Sequence, residues 1–273
     1  GCINLNCIEI SDSVTSIDEE LFNQCSKLNK IEVDSNNKNY ASYEGALYNK
    51  DMTKLIRCPV AKTQINMPDS LITIGNYAFA YCPNLSNLII PEGIKEIGDG
   101  AFYGCSNLIE ADIPNSVTSI GCSAFSYTQL SNITIPNSVN YIGAMAFGGC
   151  EHLTNIIIPN GVTEIDDNLF YNCSNLKSVE IPVSVTSIGE KAFSGCSSLE
   201  NIEIPDGVTS IGDYAFYDCT KLESIEIPAS VTSIGKYFVF DGCYNLSKIE
   251  VDSNNQSYAS YDGALYNKEM TEL

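Results

Sequence analysis

Tryptophan is absent from this 273-residue chain, His152 is its only histidine and Arg57 its only arginine. A lone histidine leaves proton-transfer chemistry without its commonest group held against a partner. A lone arginine removes the bidentate grip on phosphate and carboxylate ligands. Lys and Arg total 14 against 34 Asp and Glu, for a net charge of -20. The resulting negative field repels phosphate backbones and anionic lipid, so nucleic acid is excluded as a partner. The sequence has no apolar run of 18 residues, and this segment is therefore not expected to insert into a membrane. It also lacks any Cys-x-x-Cys pair for zinc and any Gly-x-Ser-x-Gly elbow. These absences predict no catalytic residues, no metal site and no cofactor, and the chain does not read as an enzyme.

What is present is repetition. Pro68, Pro91, Pro114, Pro136, Pro159, Pro182, Pro205 and Pro228 recur at 23 residues, with one gap of 22, and Ser11 holds the same place in an earlier copy. A period of this length is the signature of a solenoid, in which each copy is one coil and stacked neighbours bury a common core. From Leu199 to Leu222 a copy reads Leu-x-x-Ile-x-Ile-Pro-x-x-Val-x-x-Ile-Gly-x-x-Ala-Phe-x-x-Cys-x-x-Leu. Ile202-Glu203-Ile204 alternates in, out, in, as a half-buried strand does. Val208-Thr209-Ser210-Ile211 could form a second extended stretch. Asp213 to Cys219 reads as a short helical turn with Asp213 placed to cap exposed amides. The expected fold is an α/β repeat: a right-handed leucine-rich-repeat solenoid with a parallel sheet on one face, short helical turns and β-hairpin inserts.

Residues 1-273 form a single solenoid on this reading, with atypical coils at about 34-67 and 252-273. In the first, Gly45-Ala46-Leu47-Tyr48-Asn49 and Lys54-Leu55-Ile56-Arg57-Cys58 flank Lys50-Asp51-Met52-Thr53 as a hairpin. Leu28 to Leu55 matches Leu246 to Leu273, differing at six of 28 positions. Both ends are expected to cut a repeat of a longer array.

The motif Ile-Pro-x-Ser-Val-Thr-Ser-Ile-Gly-x-x-Ala-Phe-x-x-Cys, at Ile181 to Cys196 and in part at Ile227 to Ile234, closely resembles that of the BspA-like (Treponema pallidum type) leucine-rich-repeat surface proteins. The insert motif Gly-Ala-Leu-Tyr-Asn-Lys is also similar to one found there. The resemblance covers essentially the full length and implies an extracellular or cell-surface location. It further implies an adhesin-like role, with a protein ligand such as a host or matrix protein. No catalytic residues come with it.

Nine cysteines, Cys2, Cys25, Cys82, Cys105, Cys150, Cys173, Cys196, Cys219 and Cys243, fall in one column. Stacked side chains about 4.8 Å apart and parallel do not meet disulfide geometry, so buried free thiols are expected. Cys7, off the column on an outward strand face, is the candidate reactive thiol. His152 reads as a solvated loop residue. Sequons occur at Asn84, Asn132, Asn172, Asn245 and Asn255.

The outward strand positions form the candidate binding surface: Glu9, Glu32, Ile89, Asp112, Thr134, Ile157, Glu180, Glu203, Glu226 and Glu250. Glu180, Glu203, Glu226 and Glu250 form a ladder whose mutual repulsion a basic ligand relieves, and Glu200 and Glu223 add to it. The function expected is a protein-binding module using the sheet face and the hairpins. The alternative is a spacer that projects other domains from the cell surface. The change along the series from Ile89 through Thr134 to Glu180 favours the binder, since a spacer would keep uniform filler.

Overall fold

Burial of the repeating apolar columns organises the chain. In the computed structural model, which describes residues 2–18, 20–23 and 25–271, Phe79, Phe102, Phe125, Phe147, Phe170, Phe193 and Phe216 are fully buried. Consecutive rings stack at centroid separations of 5.1 to 5.9 Å, and Phe240 extends the row. Leu, Ile, Val, Ala and Cys columns complete one core from Ala46 to Cys243. Phe22 instead packs in a smaller core with Ile10, Cys25, Leu28, Ile31, Leu47 and Ile56.

The single sheet anticipated from the alternating triplets is in fact two rows of parallel strands. The first row, built from those triplets, is broken into pairs: Cys7–Ile10 with Lys30–Val33, Asn87–Ile89 with Glu110–Asp112, Asn155–Ile157 with Ser178–Glu180, and Ser224–Ile227 with Lys248–Val251. Thr134 joins the second pair by an isolated bridge to Asp112. The second row, built from the Val-Thr-Ser-Ile stretches, is the more continuous. Thr73–Ile74, Glu96–Ile97, Ser119–Ile120 and Tyr141–Ile142 pair in succession, and so do Glu164–Ile165, Ser187–Ile188, Ser210–Ile211 and Ser233–Ile234. Threonine reinforces it: the hydroxyls of Thr186, Thr209 and Thr232 donate to the carbonyls of Thr163, Thr186 and Thr209 at 3.2, 3.1 and 3.3 Å. A hydroxyl bond running beside each backbone bond favours one register between coils.

No helix forms among the described residues, so the expected helical turns are corrected. The segment after each glycine is a row of stacked turns. Ala78, Ala80 and Cys82 close turns by donating to the carbonyls three residues back, while Tyr77, Phe79 and Tyr81 donate to Asp99, Ala101 and Tyr103 of the next coil, each at 2.8 Å. This alternation requires left-handed residues, and Tyr77 and Tyr81 have φ of 53° and 57°. The preceding glycines permit close stacking: a Cβ on Gly121 would lie 2.6 Å from the backbone nitrogen of Asp99. Asp99 and Asp167 do accept amide hydrogens, but from Cys122 and Glu190 of the following coil.

In the atypical coil, Ala46–Asn49 pairs antiparallel with Lys54–Arg57 across residues 50–53, and Tyr40–Tyr43 adds a third antiparallel strand. Lys54–Arg57 then pairs in parallel with Thr73–Ile74, so the insert extends the second row. Buried Asn37 docks it, donating to Ser11 and Val14 carbonyls and accepting from the amides of Asn39 and Tyr40. Asn255 repeats this clip in the other insert, with Tyr258–Tyr261 antiparallel to Ala264–Asn267.

Both rows break at one junction. The first row stops at Thr134 and resumes at Asn155, and the second stops at Ile142 and resumes at Glu164. These are the same two coils, and the copy shortened to 22 residues lies immediately before them. Its chain has one residue fewer between Phe125 and Leu130 with which to turn the corner. The turn row crosses with ordinary bonding, through Met145 to Asp167, Phe147 to Leu169 and Gly149 to Tyr171 at 2.9, 3.1 and 2.7 Å, and a corner bond of 3.3 Å from Thr154 N to Ser131 O also spans the junction. The ring separation there, 5.9 Å between Phe147 and Phe170, is the widest of the stack.

Candidate functional site: the face of the first strand row

The triplets project one outward side chain per coil, because strand residues alternate faces. Glu9, Ile89, Asp112, Thr134, Ile157, Glu180, Glu203, Glu226 and Glu250 are all exposed, and Glu32 is half-buried. Glu9 stands in register with Glu32, Ile89 with Asp112, Ile157 with Glu180, and Glu226 with Glu250.

The ladder is nevertheless not the uniform array its sequence suggests. Glu203 lies outside any strand, so Glu180 and Glu226 are not joined through a hydrogen-bonded neighbour. Glu250 carries an ion pair with Lys248 of its own strand, just as Glu32 does with Lys30. Glu200 and Glu223 are exposed at the preceding corner, linked by a backbone bond of 3.3 Å from Glu223 N to Glu200 O. A groove of about 400 Å³ lies here, in which Glu203, Glu226 and Glu250 are joined by Asp206 and Asp252. Sequence reasoning missed the two aspartates. The only signal was their place one residue past Pro205 and directly after Val251, where the strand leaves the face.

A second groove, about 280 Å³, lies at the junction between residues 132–135 and 155–157. Carboxylates are absent from its lining: Ile133, Ile135 and Ile156 form its floor, and Ile157 stands 61% exposed beside it. A third, about 410 Å³, adjoins Ile89, which is 81% exposed. The face thus carries aliphatic windows at Ile89 and Ile157, with Asp112 between them and acids from Glu180 onward.

The other candidates fall into place individually. All twelve cysteines are free. Column thiols are buried except Cys2, which is exposed and departs from expectation. Their role is visible in the bonding: Cys105, Cys150, Cys173, Cys196, Cys219 and Cys243 donate from Sγ to the phenylalanine carbonyl of the preceding coil at 3.0 to 3.2 Å. Cys7 is exposed and stands opposite Lys30. His152 is exposed at a corner. Asn255 is fully buried with its amide engaged, which removes it as a glycan acceptor. Among the described residues no group of three or more His, Cys, Asp or Glu could hold a metal ion, and no helix is long and apolar enough to cross a membrane.

Residues 1–59, 56–177 and 163–273 match the profile of the BspA type leucine rich repeat region, in six copies. No curated protein sequence matches the chain. Among solved structures, a leucine-rich repeat protein from Eubacterium ventriosum is similar at 29% identity and a TM-score of 0.64, over 96% of this chain and 63% of that one. The T. pallidum leucine rich repeat protein aligns at 26% identity and a TM-score of 0.53, over 79% of this chain and 90% of that one. The pneumococcal vaccine antigen PcpA shares the fold at 23% identity and a TM-score of 0.57, over 85% of this chain and 56% of that one. The chain therefore spans less than two thirds of the length of the E. ventriosum protein and of PcpA.

Proposed function

We infer, from the premise that this chain belongs to the BspA-type leucine-rich-repeat family, that it is a protein-binding module whose first strand row contacts a basic partner. Solenoids of this kind are scaffolds, and their function lies in what the face presents. The observation that carries the reading is the groove where Glu203, Glu226 and Glu250 meet Asp206 and Asp252. Lys248 is ion-paired to Glu250, so the groove keeps an excess of negative charge that a cationic segment complements. The reading includes a location at the cell surface and an adhesin-like role, which the family resemblance supports, and antibody labelling of intact cells tests the location. A passive spacer has no need of a face that changes from aliphatic to acidic along its length.

Binding of a labelled octalysine peptide tests the acidic face directly. Changing Glu180, Glu203, Glu226 and Glu250 together to Gln is expected to weaken binding roughly tenfold, from about 0.3 kcal/mol for each of four exposed pairs. Affinity should also fall as salt rises. The control changes Glu96, Glu151, Glu164 and Glu190, all exposed and outside the first strand row. Equal losses in both variants would show that only net charge matters. Asp99 and Asp167 are unsuitable as controls because their carboxylates hold amides of the next coil.

A further inference from the structure

We propose that the groove at the junction, between residues 132–135 and 155–157, is a hydrophobic anchor site that receives one aliphatic or aromatic side chain of the same basic partner. The inference rests on the acidic-face reading above and specifies the partner's chemistry: a cationic segment carrying an apolar residue at its end nearest the groove.

Three observations place the site. The groove lies where both strand rows part between the Thr134 and Ile157 coils. Its floor is Ile133, Ile135 and Ile156, and Ile157 exposes 61% of its surface to solvent at the rim. Ile157 and the groove floor together form a contiguous aliphatic surface beside the acids that begin at Glu180, which distinguishes it from an apolar side chain exposed singly. Third, charge surrounds it: Asp112 lies two coils before Ile157, and Glu180 is its register neighbour on the other side. A purely apolar ligand would gain nothing from those flanks, and a purely cationic one would leave the isoleucines wet. A segment with both features satisfies the whole face, with the apolar side chain buried at the centre and the charges at the rim.

Spacing sets the ligand's register. From the middle of the groove to Glu180 is about one and a half coils, or roughly 7 Å at about 4.8 Å per coil. An extended chain covers that distance in about two residues. The probe is therefore acetyl-Leu-Gly-(Lys)6-amide, with the same peptide bearing Ala in place of Leu as its partner. Both are also made in reversed order, since the groove does not fix chain direction.

The leucine peptide is expected to bind roughly tenfold more tightly than the alanine peptide in one of the two orders, the gain from partly burying a leucine side chain. Ile157→Ser, at an exposed position where folding is not at stake, should bring that ratio close to one while leaving the salt dependence unchanged. The four-fold Glu→Gln variant should weaken both peptides and keep the ratio. Equal binding of leucine and alanine peptides to the unaltered protein in both orders overturns the anchor site and leaves the acidic face standing. Survival of the full ratio in Ile157→Ser overturns it too. Failure of every lysine peptide to bind overturns the acidic face and the anchor site together.

Discussion

Cysteine shows most clearly how a single residue type can be correctly placed and incompletely understood. Regular spacing and a small side chain were enough to predict a buried column without disulfides. What spacing does not reveal is that six of these thiols donate to the phenylalanine carbonyl one coil back, which already accepts the cysteine amide of its own coil at Phe79, Phe147, Phe170, Phe193 and Phe216 and the Thr128 hydroxyl at Phe125. Burial has a measurable effect on these thiols. Desolvation pushes Cys150 up to about 11 against the Thr128 hydroxyl bond that favours the thiolate, and it raises Cys173 and Cys196 as well. An unfolded thiol ionises near 9, so below that pH both states hold the proton and the neutral column contributes fully. Between about 9 and 11 only the unfolded state releases it, and stability falls as pH rises. Urea midpoints measured from pH 7 to 11 should therefore decline above about 9, and Cys150→Ala should make the decline shallower. A midpoint flat to pH 11 would show that the column is not buried in solution. Thiol titration at pH 7.5 should modify Cys7 and Cys2 before any buried column member.

At the scale of elements, strand positions were legible and turn conformation was not. The in-out-in triplets read correctly as extended chain in most copies, and the Val-Thr-Ser-Ile stretch was recognised as a possible second one. Yet in the copy from Leu199 to Leu222, where every column of the motif is filled, the triplet at Glu203 forms no strand. Gly-Asp-Tyr-Ala-Phe suggested a helical turn because Asp after Gly resembles a cap. The left-handed φ of 56° at Tyr214 prevents that, and no propensity scale would place tyrosine there. The turn row has a direction: amides point to the next coil and carbonyls to the previous one. Its backward edge needs donors where the insert interrupts the repeat, and Arg57 supplies them. This fully buried guanidinium donates to the carbonyls of Tyr77 and Ala80, and Cys58 N donates to Ala78 O. Removing those donors leaves buried carbonyls short of partners, so Arg57→Met should cost about 2 to 3 kcal/mol by chemical denaturation. Desolvation already pulls the guanidinium below its ordinary pKa, and relief of that burial is the opposing effect. A variant as stable as the parent would show that the relief cancels the lost bonds.

For the whole molecule, the repeat predicted a single solenoid with two atypical coils, and the single 22-residue interval was the only sequence sign of the break between the Thr134 and Asn155 coils. That interval was visible from the proline spacing, but its effect depends on how two strand rows and a turn row share the load, which requires coordinates. Where the rows are intact, Thr186 and Gly189 donate their amides to Thr163 and Ile165, and Thr209 and Gly212 donate to Thr186 and Ile188, all at 2.7 to 2.8 Å. Across the junction the second row ends at Ile142 and starts again at Glu164, so the corresponding amides of residues 163–166 do not complete the row. In a solenoid, stability is the sum of contacts between neighbouring coils, and a weakened interface opens locally before the rest. Hydrogen exchange corrected for intrinsic rates should therefore show residues 163–166 exchanging roughly tenfold faster than 186–189 and 209–212, while the turn amides of Met145, Phe147 and Gly149 stay protected. Inserting one asparagine after Thr128 restores the 23-residue interval and should bring the protection of 163–166 toward that of its neighbours. It should also narrow the anchor groove, so the leucine preference of the lysine peptides should decline in the same variant. Protection at 163–166 equal to that at 186–189 in the unaltered chain would mean that the core stack alone holds the two blocks together, and the junction would then be a shape in the surface with no looseness behind it.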